Sequence, residues 1–536
     1  MYNDYQTLPY ETDECLSRGI CSVNSTLTSI QEIILLYIKE MAFYLLKLKD
    51  FGITNEEIKS TIIYALFNLV TGTEYNQEQF HETISKLYSN ISQSKVLYEN
   101  FCKEKKVDIQ SVKTYFKHSK NFNLTDAIKK GERYFLKKSS NFTSRQKDLF
   151  DITLFLVKSA AVKMFEAQRL GADYDDEYYA TLSMMNSMNF NEFSEEKAQE
   201  EIKKYIYAYY KIVRDVFYAQ VKLYGDVTPV EVSFSTVPGK AILVSGSDYK
   251  KLENVLKATE GTEISVYTHG MEMLMAHSLP KMRSHPNLRG HFGTSMDSSV
   301  ADFSTFPGAI LMTKGTLQKI EYLYRGRLFT LDPIPPMGVI KIKDDNYEPL
   351  IKSAFDAKGF SKATLKPSAK VGFSEEEINK KVDEIMDKVI NNEIRHLYII
   401  GMLNFPNVHS QYFDKFFELM PKDCYAISLS HKKSGANIFY LDFLSDYWLI
   451  YKILKRINEK IPFNKIDMTI FLTRCDKHTI ANLLYLKEVG VKNVYMCKCP
   501  PSLVNPALIK TLQEIYGIKE FSDPQKDIED TLIKKD

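Results

Sequence analysis

The sequence predicts a multidomain protein: an N-terminal all-helical bundle followed by two Rossmann-like, doubly wound parallel-sheet α/β domains. Three observations carry this. Proline is absent between Glu11 and Thr228, where only Gly19, Gly52, Gly72, Gly131, Gly171 and Gly225 supply glycine breaks. Apolar residues recur through that stretch at helical spacing. Beyond Thr228, short β-rich runs alternate with helical stretches, the pattern of parallel sheets covered by crossover helices. A chain of 536 residues is also too long for one hydrophobic core, and length alone gives an expectation of about three domains.

In the first part, Ile30, Ile33, Ile34 and Tyr37 continue into Met41, Tyr44 and Leu45 along one helical stripe. The same spacing runs through Phe150–Met164 and Ile202–Leu223. Thr54 ahead of Glu56 and Glu57, and Ser194 ahead of Glu195 and Glu196, read as N-caps with acids in the first turn. Residues 1–228 form the expected helical domain. Expected strands then run over Ala241–Ser245, Ile264–Thr268, Ala309–Thr313, Val339–Ile342, Leu397–Gly401, Tyr425–Leu429, Met468–Leu472 and Asn493–Met496. Expected helices are Tyr249–Ala258, Ser374–Asn392, Ser410–Met420, Asp446–Lys460, Asp476–Val489 and Pro506–Tyr516. The polar, Lys-rich segment Asp344–Phe373 is the best candidate linker, which divides this half into domains 229–368 and 369–536.

Hydrophobic residues are 44% and charged residues 26%, with a formal net charge of +2. Such a balance provides no field for nucleic acid or an acidic membrane. No apolar run reaches the roughly 18 residues needed to span a bilayer; Glu32–Leu46 and Ile152–Phe165 are broken by charge. Met1–Thr12 carries acids and no basic amphipathic pattern, so a cytoplasmic location is expected. The seven cysteines are Cys15, Cys21, Cys102, Cys424, Cys475, Cys497 and Cys499. An odd, scattered set is not a disulfide framework.

Open α/β sheets bind ligands at the carboxyl ends of their strands. Those ends lead into Ser247 and Asp248, His269 and Glu272, Lys314 and Thr316, Met402, His431, and Arg474 to Asp476. Glu272, His431, Asp446 and Asp476 are candidate metal ligands; one imidazole with three carboxylates suits a single iron(II), manganese or zinc ion better than a thiolate cluster. The plainer readings are N-capping for Asp446 and Asp476 and a hydrogen-bonded loop imidazole for His431. Glu272 lies in the run Met271–Met275, where a buried carboxylate needs a partner. Cys15 and Cys21 flank a turn-like stretch, and two thiolates do not complete a four-coordinate site. Cys497 and Cys499 read as a strand end. The chain has no GxGxxG, Walker A, HExxH or G-x-S-x-G sequence, so dinucleotide binding, ATP hydrolysis and serine hydrolysis lack support.

Leu243-Val-Ser-Gly-Ser-Asp248, Thr259-Glu-Gly-Thr262, Val266-Tyr-Thr-His-Gly270 and Glu272-Met-Leu-Met-Ala-His277 resemble the central motifs of hybrid-cluster (prismane) proteins. These are also called hydroxylamine reductases and are relatives of nickel carbon monoxide dehydrogenases. The resemblance continues through Phe303-Ser-Thr-Phe306, Leu311-Met-Thr313 and Val489-Gly-Val-Lys-Asn493, and covers nearly the whole chain. It implies the same order of parts, a helical domain and two Rossmann-like domains. It also implies dimerisation through the helical domain.

The family holds two clusters. The N-terminal cubane uses four cysteines; Cys15 and Cys21 match the second pair, and Asn3 and Gln6 stand where the first pair belongs. An N-terminal iron–sulfur cluster is therefore not expected. The mixed iron–sulfur–oxygen cluster takes one His, two Glu and four Cys. By resemblance the His position falls on Ser247, the first Glu on Glu272 with one inserted residue at Met271, and the last Glu on Asp476. The cysteine positions fall on Thr316, Met402, His431 and Asp446. Thiolates and bridging sulfide make such a cluster, so the expectation is a divergent member that lacks the hybrid cluster and keeps the scaffold for a binding or regulatory role. The alternatives are a metal-dependent oxidoreductase with a rebuilt mononuclear site and the hydroxylamine or nitric oxide reduction that the family name implies. No particular protein partner follows from the sequence.

Overall fold

The computed structural model describes residues 25–69, 77–112, 123–188, 193–293, 299–313, 322–331, 335, 337–401, 410–429, 435–441, 447–473, 477–496 and 507–532. It forms two compact units, one over Leu16–Asp215 with Ser502–Thr511 and one over Met1–Cys15, Val216–Pro501 and Leu512–Asp536.

The first unit is helical. Its elements are α1 Ser25–Asp50, α2 Glu56–Asn68, α3 Gln77–Lys105, α4 Leu124–Asn141, α5 Ser144–Leu170 and α6 Asp175–Ser187, followed by α7 Glu195–Tyr224, which runs on into the second unit. The stripe from Ile30 to Leu45 is buried, and so are Leu35, Leu36 and Ile38 on the other faces. A helix buried on every face belongs in the middle of a bundle, and α1 packs against α3, α4 and α6. The fully buried Lys39 directs its ammonium at the Tyr134 hydroxyl (3.2 Å) and over the Phe150 ring. Cap chemistry sets the helix ends. Ser194 accepts from the Lys197 N–H (3.2 Å). For α2, the cap is Asn55, which accepts from the Ile58 N–H; the expected cap, Thr54, is one residue too early. For α5, Thr143 and Gln146 form a reciprocal capping box, and Gly171 closes the helix in the left-handed region (φ 69°).

The second unit holds two six-stranded sheets and a two-stranded ribbon. In chain order the elements are β1 Val230–Ser233, β2 Ala241–Ser245, α8 Tyr249–Ala258, β3 Ser265–His269, the short α9 Met271–Leu274, α10 Pro280–Arg283, β4 Leu288–His291, α11 Ser299–Thr305, β5 Ala309–Met312, α12 Tyr322–Arg325, β6 Leu328–Thr330, β7 Ile340–Lys341, α13 Glu348–Asp356 and β8 Ser368–Val371. Then come α14 Glu375–Ile390, β9 His396–Ile400, α15 Ser410–Leu419, β10 Cys424–Ser428, β11 Ile438–Tyr440, α16 Tyr447–Lys460, β12 Met468–Leu472, α17 Lys477–Glu488, β13 Asn493–Met496, α18 Ala507–Tyr516, β14 Lys519–Glu520 and α19 Pro524–Leu532. One sheet is ordered β4-β3-β2-β5-β6-β7 and the other β11-β10-β9-β12-β13-β14; all pairings within them are parallel. Both follow the same permutation, with the order reversing between β2 and β5 and between β9 and β12. This is the strand order of a dinucleotide-binding-type fold. β2, β3, β9, β10 and β12 are buried at every residue, as strands covered on both faces by helices must be.

The expected linker Asp344–Phe373 is structured. It contains α13, which packs on β5 and β2, and β8, which pairs antiparallel with β1 in the register Val230↔Val371. Only Leu350 and Ala354 are buried in α13, and only Val371 in β8. That leaves too few apolar positions for a period to show. Among the described residues, no helix is long and apolar enough to cross a membrane.

Candidate functional site

The crevice at a reversal of strand order is where this fold accepts ligands, outside the carboxyl ends of the strands. In the first sheet β2 ends at Ser245 and turns through Gly246 (φ 114°) to Ser247 and Asp248. Asp248 caps α8, its carboxylate accepting from the Lys251 N–H at 3.1 Å. Across the crevice, Thr313 follows β5. Its N–H and hydroxyl both donate to the Ser245 carbonyl (2.8 and 3.0 Å), and the same hydroxyl accepts from the Asp248 N–H at 3.3 Å. The Lys251 ammonium donates to the Thr313 carbonyl at 2.6 Å and lies 3.7 Å from the second Asp248 oxygen. Ser247 is therefore carried on a turn tied on both sides.

β3 ends at His269, and Gly270 (φ 85°) turns the chain into α9, where Glu272 sits half-buried. The Tyr249 hydroxyl donates to the Glu272 carbonyl at 2.9 Å, tethering this segment to the first turn of α8. Tyr249 and Met275, with Phe217, Val221, Val227 and Leu279, also line a small, largely apolar cavity behind it.

Next to these turns lies a buried imidazole network. The Ser245 hydroxyl meets His269 Nδ1 at 2.8 Å, and His269 Nε2 meets the Asp302 carboxylate at 3.2 Å. Nε2–H donates to Asp302, which leaves Nδ1 to accept from Ser245. The arrangement superficially matches a Ser–His–Asp triad, but a nucleophile must reach substrate. Ser245 and His269 are both fully buried, so the set ties β2, β3 and α11 together. Thr268 Oγ1 lies between His277 Nε2 (2.8 Å) and His291 Nδ1 (2.7 Å), and its one hydroxyl can donate to one ring while accepting from the other. Burial pushes His277 down to about 4. Burial, with His269 and His277 alongside, holds His291 well below the usual imidazole range. Both are neutral at physiological pH. His269 and His277 are visible in the sequence, but nothing there shows that Thr268 and His291 join them.

Of the positions assigned from the sequence, Ser247 and Glu272 are described. Thr316, Met402, His431, Asp446 and Asp476, with Cys15 and Cys21, lie outside the described residues, as do Asn3 and Gln6. The strands leading into these positions are neighbours: β3, β2 and β5 precede Glu272, Ser247 and Thr316, and β10, β9 and β12 precede His431, Met402 and Asp476. Among the described residues, no group of three or more His, Cys, Asp or Glu could hold a metal ion. Cys102 is buried in α3 of the helical unit, and Cys424 opens β10 at the amino edge of its sheet, where burial raises its thiol to about 11.

The sequence matches the Prismane/CO dehydrogenase family over residues 11–437. It is 27% identical to a hydroxylamine reductase of Rippkaea orientalis over 544 aligned positions, covering 96% of each chain. A hydroxylamine reductase of Methanocella arvoryzae is 25% identical, with 97% of each chain covered. Among solved structures, the alpha subunits of acetyl-CoA synthase/carbon monoxide dehydrogenase share the fold at a TM-score of 0.50 and 10% identity, over 96% of this chain and 83% of that one. The chain belongs to the Prismane/CO dehydrogenase family.

Proposed function

We propose that the protein has kept its family's scaffold, lost the hybrid iron–sulfur–oxygen cluster together with its redox chemistry, and serves a binding or regulatory role. The donor set carries this reading. Of the seven cysteines, Cys102 belongs to the helical unit and Cys424 to the amino edge of its sheet, which is the wrong end for a site at the carboxyl ends of strands. In the sequence, β2, β5, β9 and β10 run on to Ser247, Thr316, Met402 and His431, and α16 follows Asp446. Hydroxyl, thioether and imidazole groups do not replace thiolates bridging several irons. The residues present do not fit the group, so no reductive step is derived through it. The N-terminal cubane is proposed lost on the same ground, because Asn3 and Gln6 stand in for thiolates beside Cys15 and Cys21.

Two narrower readings have support. Glu272 is half-buried beside the crevice, and with His431, Asp446 and Asp476 it supplies the donor types for one iron, manganese or zinc ion. Full-length relatives named hydroxylamine reductases support retained reductase activity. A cytoplasmic location and a homodimer formed through the helical unit complete the proposal. The test is turnover: anaerobically purified protein is mixed with reduced viologen and hydroxylamine, and viologen oxidation is followed. No oxidation above the protein-free rate is expected. Turnover that survives chelation and gel filtration would overturn the proposal, and turnover or metal retention lost specifically in His431→Ala would support the single-ion reading instead.

A further inference from the structure

We propose that Lys251 is a positioning residue, a tethered cation that locks the first sheet's crevice shut and fixes the turn bearing Ser247. Lys251 stands in the first turn of α8, where the helix dipole disfavours a cation, and its side chain is 1% exposed. A buried ammonium persists only where charge and hydrogen bonds compensate it. Here the compensation is specific: the Thr313 carbonyl at 2.6 Å and the Asp248 carboxylate at 3.7 Å. Asp248 in turn caps α8 through the Lys251 N–H and donates its own N–H to Thr313 Oγ1. One residue thus joins the end of β5 to the turn after β2 and to the start of α8.

Two consequences follow. In nucleotide-binding sheets of this strand order, a pyrophosphate sits at this helix N-terminus. Here the chain's own carboxylate takes the Lys251 N–H at the helix end and its own ammonium lies beside that carboxylate, so an anion of the chain itself occupies this end of the helix. In addition, Ser247 lies between the fixed points Ser245 and Asp248, and Lys251 controls how freely that turn opens.

The full chain is tested with Lys251→Ala and Lys251→Met, each with and without Ser247→Cys as a reporter thiol. Thermal midpoints are read in n-propylammonium chloride and, at equal ionic strength, in tetramethylammonium chloride. Labelling of residue 247 is quantified by peptide mass spectrometry. The expected result is a midpoint several degrees lower for both variants and labelling at 247 accelerated severalfold. Propylammonium, a primary ammonium that fits the vacated stem, restores much of both losses in Lys251→Ala only. Parent-like labelling in both variants would overturn the proposal, as would equal rescue by tetramethylammonium or equal rescue of Lys251→Met. Should Lys251→Ala not fold, the labelling rate in Lys251→Met, which keeps the volume of the stem, decides alone.

Discussion

Glu177 in α6 gives the helical unit a pH dependence of predictable sign and size. Its side chain is buried, and among the described residues neither carboxylate oxygen meets a well-aligned donor. Tyr205 lies against it, but directs its hydroxyl at the Leu156 carbonyl (2.6 Å). Burial raises the Glu177 carboxyl from 4.5 to about 8. The folded state therefore holds a proton that the unfolded chain releases above pH 4.5. Stability contributed by that proton is intact below pH 4.5 and is lost as pH rises, until the folded carboxyl ionises near 8. Each full pH unit in that window costs about 1.4 kcal/mol, less near its two ends, so the loss between pH 5 and pH 8 is about 3.5 kcal/mol. Glu177→Gln removes the titration and keeps the shape. The assay is hydrogen exchange of α6 peptides in parent and variant at matched pH, where intrinsic exchange cancels. The variant is expected to gain protection relative to the parent by about 3.5 kcal/mol from pH 5 to pH 8. A parent–variant difference that does not move with pH would refute the reasoning.

The α/β unit should respond in the opposite sense. Burial lowers His277 and His396 from 6.5 to about 4, so the unfolded chain takes up protons that the folded one refuses. Stability is full above pH 6.5 and falls as pH drops towards 4. The loss between pH 7 and pH 5 is about 2 kcal/mol per imidazole, checked by urea unfolding of the parent and of His396→Gln, which should lose part of the acid slope; an unchanged slope would count against it. Gly293 adopts φ 76°, and a Cβ there would overlap the Asp302 carboxylate and press on His269. Gly293→Ala should destabilise by about 1–3 kcal/mol and faster exchange in β3 should accompany it; a thermal midpoint equal to the parent's would contradict the His269–Asp302 contact.

Much of this fold is legible in the sequence, because long buried strands and amphipathic helices leave a strong periodic signal. Ala241–Ser245, Met468–Leu472 and Asn493–Met496 stand as read, and α8 runs over Tyr249–Ala258 as expected. What escapes is short. β6, β11 and β14 have two or three residues each, too few for a period, and sheet pairing rather than local preference defines them. β1 and β8 become a ribbon only because each finds the other across more than a hundred residues. The site divides in the same way. Ser247 and Glu272 follow visible strands and can be placed by their motifs. Thr268, His291 and Asp302 gain meaning only from neighbours that the fold brings to them, and Lys251 reads as an ordinary solvated helix residue until its ammonium is found beneath the crevice.

The central claim is that a prismane-family scaffold here lacks the thiolates for its clusters. The most direct measurement is iron and acid-labile sulfide per chain in protein purified anaerobically from iron-replete cells, with the visible spectrum of the same sample. The account predicts no labile sulfide, at most one metal ion per chain and no broad visible absorbance. Several irons with matching sulfide and a brown chromophore that bleaches on reduction would contradict it.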